Sequence, residues 1–166
     1  MSEDAIVILK DDHKQIRKLF REFRAAGEDA RATKGHLVER IIELLTVHTY
    51  LENDVMYPQV RHLLPELDDD ILESYEEHHV ADVLCMELWS MQSQDEHFEA
   101  KTTVLIENVE HHMAEEEDEW FPKVRSGLTR TQLRELGRAM IAKRAEAPTQ
   151  PTTPSALKKA LDALVG

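Results

Sequence analysis

HTYLENDVMYP (residues 48–58) and HMAEEEDEWFP (residues 112–122) follow one template: His, three residues, Glu, four residues, an aromatic, then Pro. On an α-helix, residues four apart lie about 40° apart around the axis and roughly 6 Å along it. His48 with Glu52, and His112 with Glu116, therefore each offer a nitrogen and an oxygen ligand to one point. A single such pair is weak evidence, because a solvated helix face or a core His with an acidic partner has the same spacing. Here both pairs interrupt an apolar stripe, and buried charge is costly unless it is paired or bound to a metal.

The rest of the chain repeats with the motif. His13 in DDHKQIRKLFREF and His78 in EEHHVADVLCMEL are followed by apolar residues at +3, +6, +7 and +10: Ile16, Leu19, Phe20 and Phe23 after one, Ala81, Leu84, Cys85 and Leu88 after the other. Counting from His79 instead puts Asp82 at +3, so His78 is assigned to the core and His79 beside it. His13 precedes His48 by 35 residues and His78 precedes His112 by 34. Two helical hairpins built alike, packed about a pseudo-twofold axis, would bring all six side chains to one level.

Helical periodicity supports this arrangement. A first helix starts near Ser2 to Asp4 and ends around Ala26-Gly27, with Ile6, Leu9, Ile16, Phe20 and Phe23 as its stripe. A second covers about 33–58, with Leu37, Ile41, Leu44, Leu45, Leu51 and Val55 inward and Pro58 and Pro65 limiting it. A third spans about 69–91 and a fourth about 96–124. The expected fold is an all-α, antiparallel four-helix bundle over residues 1–125. Residues 126–166 read as an extension: a basic helix capped by Thr129 or Thr131, a Pro/Thr linker (PTQPTTPS), and a short amphipathic tail helix (ALKKALDALVG).

Composition narrows the function. The 166 residues carry a net charge of -13, which argues against nucleic acid and anionic membranes as partners, since both are bound through clustered Lys and Arg. No apolar run reaches membrane-spanning length and the N-terminus lacks a basic signal-peptide region. The one cysteine, Cys85, reads as a small core residue. The expected location is cytoplasmic.

Four imidazoles and two carboxylates in a dry bundle centre suit two iron or similar first-row ions. The carboxylates offset half the charge of two divalent cations, and an oxide or hydroxide bridge would supply more on oxidation. Asp12 and Glu77 are candidates to orient the imidazoles. His36, His62 and His97 lie too far along their helices to share the site, and His111 has a mostly polar stripe. Tyr57 and Phe121 fall about 180° around an α-helix from His48 and His112, and so read as helix-end packing.

These features, DDH at 11–13, HTYLENDVMYP, EEHH at 76–79 and HHMAEEEDEWFP, resemble the hemerythrin-like, or HHE cation-binding, family over roughly residues 1–125. The resemblance implies a non-haem di-iron centre, with His13 and His48 on one iron, His78 and His112 on the other, and Glu52 and Glu116 bridging. It differs from the five-His pattern of oxygen carriers, since Asp82 stands four residues after His78. Asp82 and Tyr75 are secondary candidate ligands. Without them each iron keeps open positions, which invites reaction with O2, hydrogen peroxide or NO. The alternative is an iron- or redox-responsive interaction module without turnover. A ferritin-like store fits less well, because that signature pairs Glu with His at i+3.

Overall fold

The computed structural model describes residues 3–151, and all regular structure among them is helical. Helix α1 (Ala5–Ala25) packs mainly on α2 (Arg31–Leu51), and α4 (Asp68–Trp89) mainly on α5 (Phe98–Glu115). These are the two hairpins expected from the repeat, joined into a four-helix bundle. Asp4 starts α1 by accepting the backbone N–H groups of Ile6 and Val7 at 3.0 and 3.2 Å, as an N-cap should.

Pro58 does not end the second helix. At Glu52–Met56 the chain widens into a π-helical turn, then continues as α3 (Tyr57–Leu63); the fourth helix likewise passes through a π turn at Glu116–Trp120 into α6 (Phe121–Gly127). A π turn bonds each N–H to the carbonyl five residues back, and Tyr57 N–H indeed reaches Glu52 O. Continuing this pattern, Pro58 would pair with Asn53 O, but it has no N–H to give. The Tyr75 hydroxyl donates to that carbonyl instead, at 3.4 Å.

Two apolar clusters fill the molecule. One, around Phe20, Ile41, Ile42, Cys85, Leu88, Phe98 and Leu105, occupies one end of the bundle. The other gathers Ile6, Leu9, Leu51, Met56, Tyr57, Ile71 and Phe121, together with Leu133, Leu136 and Met140 from α7 (Arg130–Arg144). His13, His48, Glu52, His78, His112 and Glu116, all buried, fall in sequence where the two clusters meet. In α2 the inward residues are Val38, Ile41, Ile42 and Leu45, while Leu37 and Leu44 are half-buried.

Helix α7 begins with Thr129, whose hydroxyl accepts the Gln132 N–H while the Gln132 side chain accepts from the Thr129 N–H, a reciprocal cap. Gly137 lets it lie directly on the start of α1, since a Cβ there would overlap the Glu3 carbonyl. Among the described residues no helix is long and apolar enough to cross a membrane. The expected tail helix, and the second half of the linker before it, fall outside the described residues.

Candidate metal centre

The six residues converge as two imidazole pairs with a carboxylate beside each. His13 Nε2 lies 3.2 Å from His48 Nε2, and His78 Nε2 lies 2.9 Å from His112 Nε2. Glu52 Oε1 approaches His48 Nε2 at 2.9 Å and His78 Nε2 at 3.4 Å. Glu116 Oε1 approaches His112 Nε2 at 2.7 Å and His13 Nε2 at 3.7 Å. Each glutamate therefore reaches one imidazole of each pair.

The outer nitrogens explain why the inner ones face each other. Glu117 takes His13 Nδ1 at 2.7 Å, Asp12 takes His48 Nδ1 at 3.1 Å, Asn53 Oδ1 takes His78 Nδ1 at 2.8 Å and Glu77 takes His112 Nδ1 at 3.0 Å. These oxygens accept, so each Nδ1 carries the proton and donates it outward. A neutral ring then presents a bare Nε2 lone pair to the centre. Two such lone pairs at about 3 Å repel unless a cation, a proton or a metal ion, sits with them.

The electrostatics divide each pair in the same way. Burial pushes His13 and His78 down to about 4. Burial also disfavours charge on His48, but the Glu52 charge and Asp12 outweigh it and raise it to about 10; His112 is raised likewise, Glu116 and Glu77 overcoming its burial. Burial and the Glu52 charge push Glu116 up to about 8, whereas His48 overcomes burial to hold Glu52 well below the usual carboxylate range. Each pair thus attracts one positive charge to its inner edge.

The donor set fits metal cations. Both oxygens of Glu52 and Oε1 of Glu116 are buried without a well-formed hydrogen bond among the described residues, despite their closeness to imidazole nitrogens. Such orphaned acceptors are rare in native interiors and are explained when an ion takes them. Ligand atoms of His13, His48 and Glu116, and those of Glu52, His78, His112 and Glu116, lie close enough to hold an ion each, with Glu116 in both groups. Asp82 belongs to neither group, and the Tyr75 hydroxyl donates to the Asn53 carbonyl. Tyr75 serves the π turn, and Asp82 is a partly buried carboxyl raised to about 6 by burial despite the nearby His79.

Tyr57 and Phe121 overturn the helix-end reading. In an α-helix a residue five after Glu52 points about 140° away from it. The extra residue of the π turn brings it back toward the Glu52 face. Tyr57 stacks on His78 with ring centroids 5.2 Å apart, its hydroxyl 3.2 Å from His78 Nε2 and donating to Glu116 Oε2 at 3.5 Å. Phe121 stacks on His13 at 5.9 Å. Glu117 and Asn53 were also missed as orienting residues. A signal existed: each directly follows its motif glutamate, so the two occupy equivalent positions of the repeat, just as Asp12 and Glu77 each precede a core His.

The fold is shared with a solved structure. A crystal structure of a hemerythrin HHE cation-binding domain-containing protein from Mycobacterium kansasii superposes with a TM-score of 0.72, at 24% sequence identity, covering 88% of this chain and 87% of that one. No curated protein matches. The family model for the hemerythrin HHE cation-binding domain matches residues 4–124, which contain all six converging side chains, and the chain belongs to that family.

Proposed function

We propose that this chain is a cytoplasmic, non-haem di-iron protein that binds or reduces a small oxidant: dioxygen, hydrogen peroxide or nitric oxide. The observation that carries this reading is the pair of buried glutamates with unclaimed oxygens, set between two Nε2 pairs. His13 and His48 would hold one iron, His78 and His112 the other, and Glu52 and Glu116, each reaching both pairs, would span them. When bound, two irons supply one-electron steps between ferrous and ferric states.

The protein's own contribution is orientation and hydrogen-bond donation. Asp12, Glu77, Glu117 and Asn53 fix the ring tautomers, which keeps every Nε2 available as a ligand. Tyr57 is held protonated, because burial and the charges of Glu116 and Glu52 raise its phenol. Its hydroxyl is therefore placed to donate a hydrogen bond at the inner face of the site. Phe121, at the equivalent place beside His13, offers only an apolar ring.

Elemental analysis and an absorption spectrum, taken before and after air reaches anaerobically iron-loaded protein, test the reading. Two irons per chain, a new visible absorption band, and consumption of peroxide or NO beyond two equivalents are expected. His48→Ala and His112→Ala should lower metal content, while the exposed His62→Ala and His97→Ala should not; equal losses in both sets would refute the ligand assignment.

A second reading, an iron- or redox-responsive interaction module, is favoured by the chain of contacts from α7 to the centre: Arg144 to Asp12, and Asp12 to His48. It predicts no turnover, but a large metal-dependent change in stability or partner binding.

A further inference from the structure

We propose that Glu77, His111 and Glu115 form a separate, exterior site for a first-row divalent cation such as zinc, on the seam between α4 and α5. His111 and Glu115 repeat the His-x-x-x-Glu geometry of His112 and Glu116 one residue earlier. That offset turns the pair about 100° around the helix, from the core toward solvent. His111 Nε2 stands 2.9 Å from Glu115 Oε1. Glu77, from α4, completes the set, with one ligand atom from each residue lying within 4.8 Å of the others. Zinc bonds of about 2.0–2.1 Å place tetrahedral ligand atoms about 3.4 Å apart, so small side-chain rotations close the site. Solvent reaches its outer side, since the His111 side chain is 66% exposed.

This is more than a solvated acidic face. The side chains of Glu77 and Glu115 are only 16% and 30% exposed. Several other partly buried acids hold a fixed cation: Glu117 has Arg17, Asp12 has Arg144, and Glu110 has Arg24. Among the described residues no Lys or Arg pairs with Glu77 or Glu115; their ion-pair partners are His112 and His111. The imidazole selects zinc or a similar ion over calcium and magnesium, which prefer all-oxygen sites.

Glu77 links this site to the interior, because it also accepts His112 Nδ1. An ion bound outside would share a carboxylate with an imidazole of the inner centre.

The test is zinc titration of the full chain after iron loading, by equilibrium dialysis and calorimetry, followed by anomalous diffraction at the zinc edge. One additional zinc per chain is expected, with an anomalous peak at His111 Nε2. His111→Ala and Glu115→Gln should each weaken it at least tenfold (about a 1.4 kcal/mol loss), leaving iron content unchanged. His36→Ala should bind zinc as the parent does. No additional zinc in the parent, unweakened binding in His111→Ala, or a loss of iron parallel to the loss of zinc would overturn the proposal. If the chain takes up no iron, the position of the anomalous peak, at His111 or at the inner imidazoles, separates this site from zinc entering the centre.

Discussion

Arg144 grips Asp12 through one guanidinium nitrogen, at 3.0 and 2.9 Å from its two carboxylate oxygens, and Asp12 in turn takes the proton of His48 Nδ1. A helix outside the four-helix bundle thereby fixes an acid that orients an inner imidazole. Asp12→Ala should cost the centre about 10–100-fold in metal affinity, the usual penalty for removing such a support. Arg144→Ala leaves the Asp12–His48 bond in place and removes a half-exposed ion pair worth about 1 kcal/mol or less. Competition with a chromophoric chelator separates them; equal effects would show that Asp12 orients His48 only while Arg144 holds it.

The unclaimed carboxylate oxygens make an opposite pair of predictions for Glu116→Gln. In metal-free protein the amide N–H can donate to Glu52, relieving a penalty of about 1–3 kcal/mol. At roughly 2–4 °C per kcal/mol for a chain of this size, the melting temperature should rise by several degrees. Metal should then raise it less than in the parent, because a neutral amide binds metal more weakly than a carboxylate and bound ligand stabilises with the logarithm of its affinity. Calorimetric scans with and without iron decide, and a variant destabilised without metal but normal with it would contradict the assignment.

Much of this was legible because the chain states its site twice. The His-x-x-x-Glu pairs, the matched apolar offsets after His13 and His78, and the near-equal spacings mark the six side chains that converge in the bundle. The failure at Tyr57 and Phe121 has one cause: angular arithmetic at 100° per residue stops holding where a π turn inserts a residue, and no propensity rule marks such a turn. Pro58, after the first aromatic, was read as a limit of the second helix, although Tyr57–Leu63 carries that helix onward. The docking of α7 was hidden for another reason. It depends on a close approach at Gly137, which lies about 130 residues away in sequence from the Glu3 backbone it meets.

Asp82 should impose a pH dependence of definite sign. Burial raises its carboxyl from 3.8 to about 6, so the folded state holds the proton more tightly than the unfolded chain. Its stabilising contribution is complete below about pH 4 and is lost as pH rises through about 6. Asp82→Asn should therefore stabilise the protein at pH 7.5, by on the order of 1–3 kcal/mol, and have little effect at pH 3.5. Denaturant midpoints at the two pH values test this, with metal content measured alongside. A fall in metal content would restore Asp82 as a ligand.

Gly137→Ala sets helix propensity against packing. Propensity alone predicts stabilisation of about 1 kcal/mol, because Ala is the better helix former. The new methyl group, however, would occupy the position of the Glu3 backbone carbonyl, and a backbone atom cannot rotate aside as a side chain can. Helix α7 must therefore shift off α1, loosening Leu133, Leu136 and Met140 from the cluster they share with Ile6 and Leu9. Net destabilisation of about 1–3 kcal/mol is expected, typical of overpacking. Hydrogen exchange should show protection falling first in α7 and at the Asp4 cap, while amides around His78 and His112 change least. A more stable Gly137→Ala protein would mean that α7 does not rest on the first turn of α1 in solution.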